Sequence, residues 1–317
     1  MKILVTGKDG QLGIAFQKEF DGYFENEDVG VQVHYVGRQK CDLSNLNALE
    51  DILHKYQPNV IVNAAAYTAV DRAEQECEVA FAVNSAVLAS MAQYSVANGA
   101  SLLHFSTDYV FDGLGTDFYS ENHPVSPLGV YGKSKAEGER LIAEAFSQAN
   151  FLGARYAVFR TSWIYGEGEN FIRTILLMAK DHHALKVIDD QHGVPTCASW
   201  LAQMTLALSI DRRGIVKNFP SGIYHAVPRG ETTWLGLACM AIQASLDEGV
   251  SMKALPSAIQ PILTTEHPLA ARRPMNSRLS TQKLQTTLEN LGHVSKFPMW
   301  DELVRTYVAD LVKNQFI

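Results

Sequence analysis

A tyrosine and a lysine four residues apart are the strongest chemical signal in this sequence. Tyr131 and Lys135 belong to the run YGKSK, and a spacing of four predicts that both side chains lie on one face of a helix. A free tyrosine has a pKa of about 10, which a neighbouring ammonium group would lower. The pair could then exchange a proton with a substrate oxygen. Thr107, at the end of a predicted strand, could polarise the same oxygen.

A glycine-rich turn near the N-terminus is the second signal. The run GKDGQLG begins at Gly7, directly after a short apolar stretch, and opens an amphipathic pattern. Glycines permit a tight turn and let the backbone approach a pyrophosphate, which the free N–H groups at the start of a helix can bind. The motif therefore predicts a dinucleotide site. The residues expected to bind it are Gly7, Gly10, Gln11, Leu12 and Gly13.

The end of the second predicted strand indicates which dinucleotide binds. The run VGR at 36–38 has no acidic residue for the ribose hydroxyls of NAD. Arg38 offers a guanidinium to the 2′-phosphate of NADP, which favours NADPH and leaves NADH possible; the alternative is a solvated surface arginine. Asp42 could accept a hydrogen bond from the adenine amino group or cap the following helix. The other residues expected along the cofactor are Leu43, Ala64, Ala65 and Ala66.

A dense group of cations occurs late in the chain, in the run RRPMNSR at 272–278. Guanidinium groups bind phosphate oxygens well, so this loop, and Arg273 in particular, is predicted to hold a nucleotide diphosphate. Asn276 is expected to orient the loop. The alternative is a solvated surface loop with no ligand.

Short apolar runs alternate with amphipathic stretches through the first 190 residues. The predicted strands are 2–6, 32–36, 59–64, 101–106, 154–160 and 185–189, and helices are predicted near 11–20, 45–56, 74–98, 128–149 and 170–181. This alternation is typical of βαβ units with right-handed crossovers. The expected fold is α/β, a doubly wound parallel sheet of the Rossmann type. Trp163 follows the fifth strand at the edge where such sheets bind ligands.

The pattern loses its regularity beyond residue 190. Helices are predicted at 200–210, 232–247, 280–291 and 299–314, and the stretch 250–278 is predicted to be a loop. We therefore expect two domains. A dinucleotide-binding domain covers 1–190, to which later segments could return, and a smaller α/β substrate-binding domain covers most of 191–317.

Composition excludes several classes of protein. The 317 residues carry a net charge of −7, which disfavours a nucleic-acid binder. Four scattered cysteines argue against a disulfide framework. The chain shows no signal peptide and no evident membrane span, so a cytoplasmic location is expected. His182, His183 and His192 have no cysteine or carboxylate at ligand spacing, so no metal site is predicted.

The motifs together resemble the extended short-chain dehydrogenase/reductases and, within them, the family of dTDP-4-dehydrorhamnose reductases. Besides the glycine turn, the similar runs are STDYVFDG at 106–113, YGKSK at 131–135, RTSWIYG at 160–166, QHGVPT at 191–196 and RPMNSR at 273–278. These runs extend over nearly the whole chain. The resemblance implies NAD(P)H-dependent reduction of the 4-keto group of dTDP-6-deoxy-L-lyxo-4-hexulose to dTDP-L-rhamnose, a step that supplies polysaccharide synthesis.

The resemblance also implies roles for individual residues. Thr107, Tyr131 and Lys135 become the catalytic set, with Lys135 holding the nicotinamide ribose. Val70, Tyr109 and Trp163 match positions expected to line the sugar pocket, and Arg273 and Asn276 belong to the loop expected over the substrate. Some family members bridge two subunits through a metal bound to an early acidic residue of the first helix. Here the first acid of that helix is Glu19, which argues against magnesium and leaves a monomer or a homodimer open.

Other functions remain as alternatives. A nucleotide-sugar dehydratase would carry Asp-Glu after the strand-end threonine, whereas this chain has Asp108-Tyr109. An epimerase or another nucleotide-sugar 4-ketoreductase would use the same tyrosine and lysine. A non-catalytic protein similar to the regulatory subunit of methionine adenosyltransferase is a further alternative, against which the complete set of three catalytic residue types argues.

Overall fold

Six parallel strands form the central sheet of the computed structural model, which describes residues 1–24, 30–148, 153–293 and 297–317. The strands are β1 Lys2–Thr6, β2 Gln32–Val36, β3 Val60–Asn63, β4 Ser101–Thr107, β5 Arg155–Thr161 and β10 Gly222–His225. Their order in the sheet is β10-β5-β4-β3-β1-β2. The order reverses at β1, as the predicted doubly wound fold requires.

Helices cover both faces of this sheet, because alternate residues of each strand point to opposite sides. On one face, Ile3 and Val5 pack with α1 Gln11–Phe20 and α8 Ala198–Ser209. On the other face, Leu4 packs with a second layer of helices. That layer contains α2 Leu46–Tyr56, α5 Val87–Asn98 and α6 Val130–Ser147. The inner strands β1, β3 and β4 are thus buried on both sides, which fits the largely apolar sequences of β1 and β3.

The helix predicted at 74–98 consists of several pieces. After the short α3 Val70–Ala73, the chain forms α4 Cys77–Phe81, one π-helical turn at Ala82–Ala86, and α5. Residues 77–98 together are long and apolar enough to cross a membrane by length and composition. Buried residues of α5, including Leu88 and Met91, instead pack within the core beside the sheet.

The sixth strand of the sheet was predicted wrongly. The predicted strand 185–189 does form, as β7 Leu185–Ile188, but it pairs with β12 Ile259–Ile262 in a separate two-stranded sheet. The sixth place belongs to β10, beside β5. Four residues following a loop are too short to show a periodic pattern. The stretch predicted as a loop, 250–278, contains β12, which is equally short.

The remaining elements build a second core around three helices. They are α7 Phe171–Asp181, α9 Trp234–Asp247 and α11 Trp300–Lys313. Two short strand pairs lie near the sheet edge, β6 Ile164–Tyr165 with β9 Thr196–Cys197 and β8 His192–Gly193 with β11 Thr232–Thr233, and α10 is Gln282–Asn290.

Residues 198–225 return to the large sheet, since α8 packs on α1 and β10 extends the strand order. The division of the chain at residue 190 stays a prediction. Of the predicted helix 128–149, residue 149 lies outside the described residues.

Candidate active site

A cavity of about 840 Å³ opens at the carboxyl ends of β1, β3, β4 and β5. Ligands bind at this edge in open α/β sheets. The cavity brings together most of the predicted site residues. Its lining includes Gly7, Gly10, Gln11, Leu12, Arg38, Asp42, Leu43, Ala64, Ala65, Ala66, Val70, Thr107, Tyr109, Tyr131, Lys135 and Trp163. Gly13, Arg273 and Asn276 lie outside this lining.

The glycine turn between β1 and α1 is shaped by close backbone contacts. Gly7 has a φ of +71°, and a Cβ atom there would lie 2.6 Å from the backbone nitrogen of Ala65. A Cβ atom on Gly13 would lie 2.0 Å from the carbonyl oxygen of Gly7, so Gly13 packs the helix against the turn. Gly10 caps α1 without a side-chain hydrogen bond. The first N–H groups of α1 therefore remain available to an anion.

The end of β2 places a cation at the rim of the cavity. The Arg38 side chain is 84% exposed, and its Nε lies 3.6 Å from Oδ2 of Asp42. Asp42 accepts hydrogen bonds from the backbone and hydroxyl of Ser44, which lower its pKa. Asn45, whose side chain accepts from two backbone N–H groups, is the cap of α2. Of the two roles considered for Asp42, capping of this helix is therefore wrong, and the hydrogen bond from adenine stays a prediction.

Tyr131 and Lys135 lie on α6, which begins directly after Gly129. A Cβ atom on Gly132 would lie 2.2 Å from the carbonyl oxygen of Tyr109, so the helix approaches the turn after β4 closely. The rings of Tyr109 and Tyr131 meet edge to face, with centroids 5.5 Å apart. Thr107 ends β4, and its hydroxyl donates to Oδ1 of Asp108 at 2.9 Å. The strand end and the helix thus enclose one polar corner.

The electrostatics of this corner oppose the effect expected from the neighbouring ammonium group alone. Burial, together with the charge of Asp108, raises the pKa of Tyr131 well above its ordinary value, and Thr107 only limits the rise. Lys135 is not among the groups that lower this pKa. Its Nζ donates to the carbonyl oxygen of Phe105 at 2.5 Å. Tyr131 is therefore held as a protonated phenol, the form that donates a proton.

Asp108 is a site residue that the sequence reasoning did not assign. It is buried, and burial raises its pKa to about 6, while the hydroxyls of Ser277 and Thr107 oppose the rise. It also acts on the pKa values of both Tyr109 and Tyr131. Its position directly after a strand-end threonine was the signal that could have identified it.

Two stacked tryptophans form the opposite wall. Trp163 follows β5 with a φ of +46°, unusual for a bulky residue. Its ring stacks on Trp234, with centroids 3.9 Å apart and planes 17° apart. A Cβ atom on Gly193 would lie 2.6 Å from the Trp163 ring, so glycine there makes room for it. Trp234, which opens α9, was missed because nothing in the sequence pairs it with Trp163.

The side chains of the arginine loop already have hydrogen-bond and ion-pair partners within the protein. Arg273 donates through Nη2 to Oδ2 of Asp71 at 2.6 Å, and Arg278 pairs with Glu231 at 2.7 Å. The Asn276 amide donates to the carbonyl oxygens of Gly115 and Asp117, both at 2.8 Å. Asn276 therefore joins the loop to the segment after β4.

The acidic residue of α1, Glu19, is hydrogen-bonded to other side chains of the protein. Oε1 of Glu19 accepts hydrogen bonds from the hydroxyl of Ser199 and the amide of Gln203. Within the described ranges, no three His, Cys, Asp or Glu side chains are grouped so that they could hold a metal ion.

The glycine turn and the Thr107, Tyr131 and Lys135 side chains share one cavity at the switch point of a doubly wound sheet, which defines a short-chain dehydrogenase/reductase. The family described as "RmlD substrate binding domain" matches residues 1–312. The chain therefore belongs to this family, which is the one the sequence motifs indicated.

Named relatives agree with that assignment. The chain is 36% identical over 313 residues to dTDP-4-dehydrorhamnose reductase of Salmonella typhimurium, covering 98% of each chain. It is 38% identical over 315 residues to the enzyme of the same name from Escherichia coli K12, again with 98% coverage of each. The crystal structure of a dTDP-4-dehydrorhamnose reductase from Clostridium acetobutylicum superposes with a TM-score of 0.82 at 32% identity, covering 99% of this chain and 100% of that one.

Proposed function

We propose that this protein reduces the 4-keto group of dTDP-6-deoxy-L-lyxo-4-hexulose with NAD(P)H, forming dTDP-L-rhamnose. The observation that carries the proposal is the meeting of Thr107, Tyr131 and Lys135 in the cavity that contains the glycine turn. The full-length relatives named dTDP-4-dehydrorhamnose reductase support the substrate class. A relative from Bacillus anthracis was solved in complex with NADP, with a TM-score of 0.79 at 28% identity, covering 98% of this chain and 99% of that one.

The glycine turn fits a dinucleotide. The close approach of Gly7 to Ala65 leaves no room for a side chain there, and the uncapped start of α1 provides N–H donors for a pyrophosphate. The bound cofactor supplies the hydride. Arg38 stands at the rim, where its guanidinium would pair with a 2′-phosphate. The other proposed cofactor residues are Gly10, Gln11, Leu12, Asp42, Leu43, Ala64, Ala65 and Ala66, with Gly13 packing behind them.

The residues at the end of β4 and on α6 protonate the substrate oxygen and stabilise its charge. The Tyr131 phenol donates its proton to the alkoxide that develops at C4 of the sugar. Burial keeps that phenol protonated before the reaction. Thr107 donates a hydrogen bond to the same oxygen and so stabilises its negative charge. Lys135 holds the nicotinamide ribose.

The opposite wall and the loop hold the substrate in this proposal. Tyr109, Trp163 and Val70 line the sugar side of the cavity, and Trp234 supports Trp163 by stacking. Arg273 would exchange its Asp71 partner for the diphosphate of the nucleotide. Asn276 keeps the loop in place.

We propose that the reaction takes place in the cytoplasm and supplies polysaccharide synthesis. The enzyme is proposed to be a monomer or a homodimer. Asp108-Tyr109 disfavours the dehydratase, which needs a second carboxylate to expel water. An epimerase would retain its cofactor through the cycle, and a regulatory subunit would not turn over.

The test is NADPH oxidation, followed by absorbance, on addition of a panel of 4-keto nucleotide sugars. We expect rapid oxidation with the dTDP-linked 4-keto-6-deoxyhexose and slower oxidation with analogues. Absence of oxidation with every member, by a folded protein that binds NADPH, would contradict the reductase and favour a binding role.

A further inference from the structure

Asp9, the third residue of the glycine turn, has no role in the site described so far. It lines the cavity together with Gly37, the residue after β2. The turn and the end of β2 are side by side, because Thr6 and Val36, the last residues of β1 and β2, are paired in the sheet. The backbone N–H of Lys8 also donates to the carbonyl oxygen of Val36 at 3.3 Å. The turn is therefore fixed against the end of β2.

The Asp9 side chain extends from the turn to Gly37. A Cβ atom on Gly37 would lie 2.1 Å from Oδ2 of Asp9 and 3.1 Å from its Cγ. Gly37 is not among the glycines with a positive φ, so its backbone conformation does not require glycine. The missing side chain leaves the space that the Asp9 carboxylate occupies.

This space is the place where a dinucleotide-binding sheet normally presents an acid to the adenosine ribose. A carboxylate there accepts hydrogen bonds from ribose hydroxyls. The residues at the end of β2 in this chain, Val36, Gly37 and Arg38, contain no acid. The fold brings a carboxylate to the same place from another element, the turn after β1. The sequence gave no sign of this, because Asp9 and Gly37 are far apart in the chain.

Two cations near the carboxylate offer partners to a phosphate. Nζ of Lys8 lies 3.4 Å from Oδ1 of Asp9, and the Asp9 side chain is 69% exposed. Arg38 directly follows Gly37 and is also exposed. Guanidinium and ammonium groups bind a 2′-phosphate, whereas the Asp9 carboxylate repels it. The end of β2 thus combines an acceptor for ribose hydroxyls with donors for a phosphate.

We propose that Asp9 is a specificity-determining residue, which binds the adenosine ribose hydroxyls of NADH and so lets this protein use NADH as well as NADPH. This role rests on the proposed function only in that a nicotinamide dinucleotide occupies the cavity. Asp9 favours NADH by hydrogen bonding and disfavours NADPH by charge, and Arg38 acts in the opposite sense. Substitutions at the two positions should therefore move the ratio of the two dissociation constants in opposite directions.

The test is direct fluorescence titration of NADH and of NADPH with the full-length protein, without sugar substrate. The parent should bind the two cofactors with dissociation constants within about tenfold of each other, a difference of about 1.4 kcal/mol. A parent that binds NADPH more than about a hundredfold more tightly than NADH would overturn the proposal.

Asp9→Asn keeps the size of the side chain and removes its charge. NADH should bind about tenfold more weakly, the lower end of the value of a charge-assisted hydrogen bond, because the side chain is exposed. NADPH should bind as before or more tightly. An unchanged affinity for NADH, or an equal loss for both cofactors, would overturn the proposal.

Gly37→Ala moves the carboxylate without changing the charge. The new Cβ takes the space of Oδ2, which is the far end of a flexible side chain and must turn away. NADH should bind more weakly in Gly37→Ala, while thermal unfolding should resemble that of the parent. In an Asp9→Asn background the same substitution should have much less effect, because the two positions act through one contact. An equal loss of NADH affinity in both backgrounds would overturn the proposed position of the carboxylate.

Asp42→Asn is the matched control, because it removes another carboxylate from the same end of the cavity. Asp42 is proposed to bind the adenine, which both cofactors contain, so this substitution should change the two affinities by similar factors. If Asp42→Asn changes the ratio of the dissociation constants as much as Asp9→Asn does, the effect is a general one of charge and the proposal is overturned.

These titrations also separate two kinds of failure. If the parent binds both cofactors but reduces no 4-keto sugar, the proposed function fails, while the ratio of the dissociation constants still decides the role of Asp9. If the parent reduces the sugar and Asp9→Asn binds both cofactors like the parent, the role of Asp9 fails alone.

Discussion

The candidate site has two parts whose residues come together in different ways. They are a strand-edge half, at the carboxyl ends of the sheet strands, and a loop half, the arginine loop at 272–278. In the strand-edge half, Gly7 directly follows β1, Thr107 ends β4, and Ala65 lies two residues beyond the end of β3. All three line the cavity. In the loop half, Arg273 and Asn276 come from a segment far along the chain and lie outside the lining. Parallel strands bring their carboxyl ends to one edge whatever the loops do, whereas a loop position depends on its partners.

This difference shows when a charged residue in a sequence is good evidence for a ligand-binding site. The strand-edge half presents the backbone N–H groups at the start of α1, which the Gly10 cap leaves without a side-chain partner. The loop half presents cations, and its two partly buried arginines are already paired with Asp71 and Glu231. A cationic run in a sequence therefore predicts phosphate binding less securely than a glycine turn does.

The largest expected effect belongs to the strand-edge half. Tyr131→Phe keeps the aromatic ring but removes the acidic proton, so kcat should fall by about 10²–10⁴-fold. NADPH affinity, measured by fluorescence titration, should change little. A variant that retains most of its kcat would remove Tyr131 from the proposed mechanism.

Gly13→Ala tests the close packing of the glycine turn. The added Cβ would lie 2.0 Å from the backbone oxygen of Gly7, and such overpacking typically costs about 1–3 kcal/mol. Thermal unfolding should therefore begin at a lower temperature, and NADPH should bind more weakly. Gly10→Ala is the matched control, because its Cβ would meet that same oxygen at an ordinary 3.5 Å. It should unfold like the parent; equal destabilisation of both variants would argue against the packing role.

The loop half is tested by a pair of substitutions. If Arg273 takes the diphosphate, Arg273→Ala should raise KM for the nucleotide sugar by about one to two decades, the value of a charge-assisted hydrogen bond. Asp71→Asn, which releases Arg273, should lower that KM or leave it unchanged. Steady-state kinetics with each substrate varied in turn provides the measurement. An increase of KM in both variants would show that the Arg273–Asp71 pair serves only to hold the loop.

Arg38→Ala should have the smallest effect, because the side chain is 84% exposed and exposed ion pairs contribute only about 0.2–1 kcal/mol. We expect NADPH to bind a few-fold more weakly and NADH to bind as before. Titrating both cofactors against the parent and the variant compares them directly. Equal changes in affinity for the two cofactors would mean that Arg38 does not bind the 2′-phosphate.

The sequence predicted the fold class and most of the cavity because both depend on local signals. The alternation of strands and helices placed five of the six sheet strands, and the glycine turn lies directly after β1. The sixth strand, β10, is too short to show a period. The Trp163–Trp234 stack and the Arg273–Asp71 pair join residues far apart in the chain. Only the folded chain brings them together.

The protonation states of Tyr131 and Lys135 also could not be predicted from the sequence. The spacing of Tyr131 and Lys135 indicated that an ammonium group would lower the pKa of the phenol. In the folded chain, burial raises that pKa, and Lys135 is held by His104 and the backbone of Phe105. Helical spacing places two side chains on one face, but burial and third partners decide how they titrate.

Transfer of a labelled hydride tests the central claim most directly. The protein would be incubated with the dTDP-linked 4-keto-6-deoxyhexose and NADPH fully deuterated at C4 of the nicotinamide, and the sugar product analysed by NMR and mass spectrometry. The account predicts dTDP-L-rhamnose with one deuterium at C4 of the sugar, and almost no product from Tyr131→Phe. A sugar recovered without deuterium, or a product altered at another carbon, would contradict it.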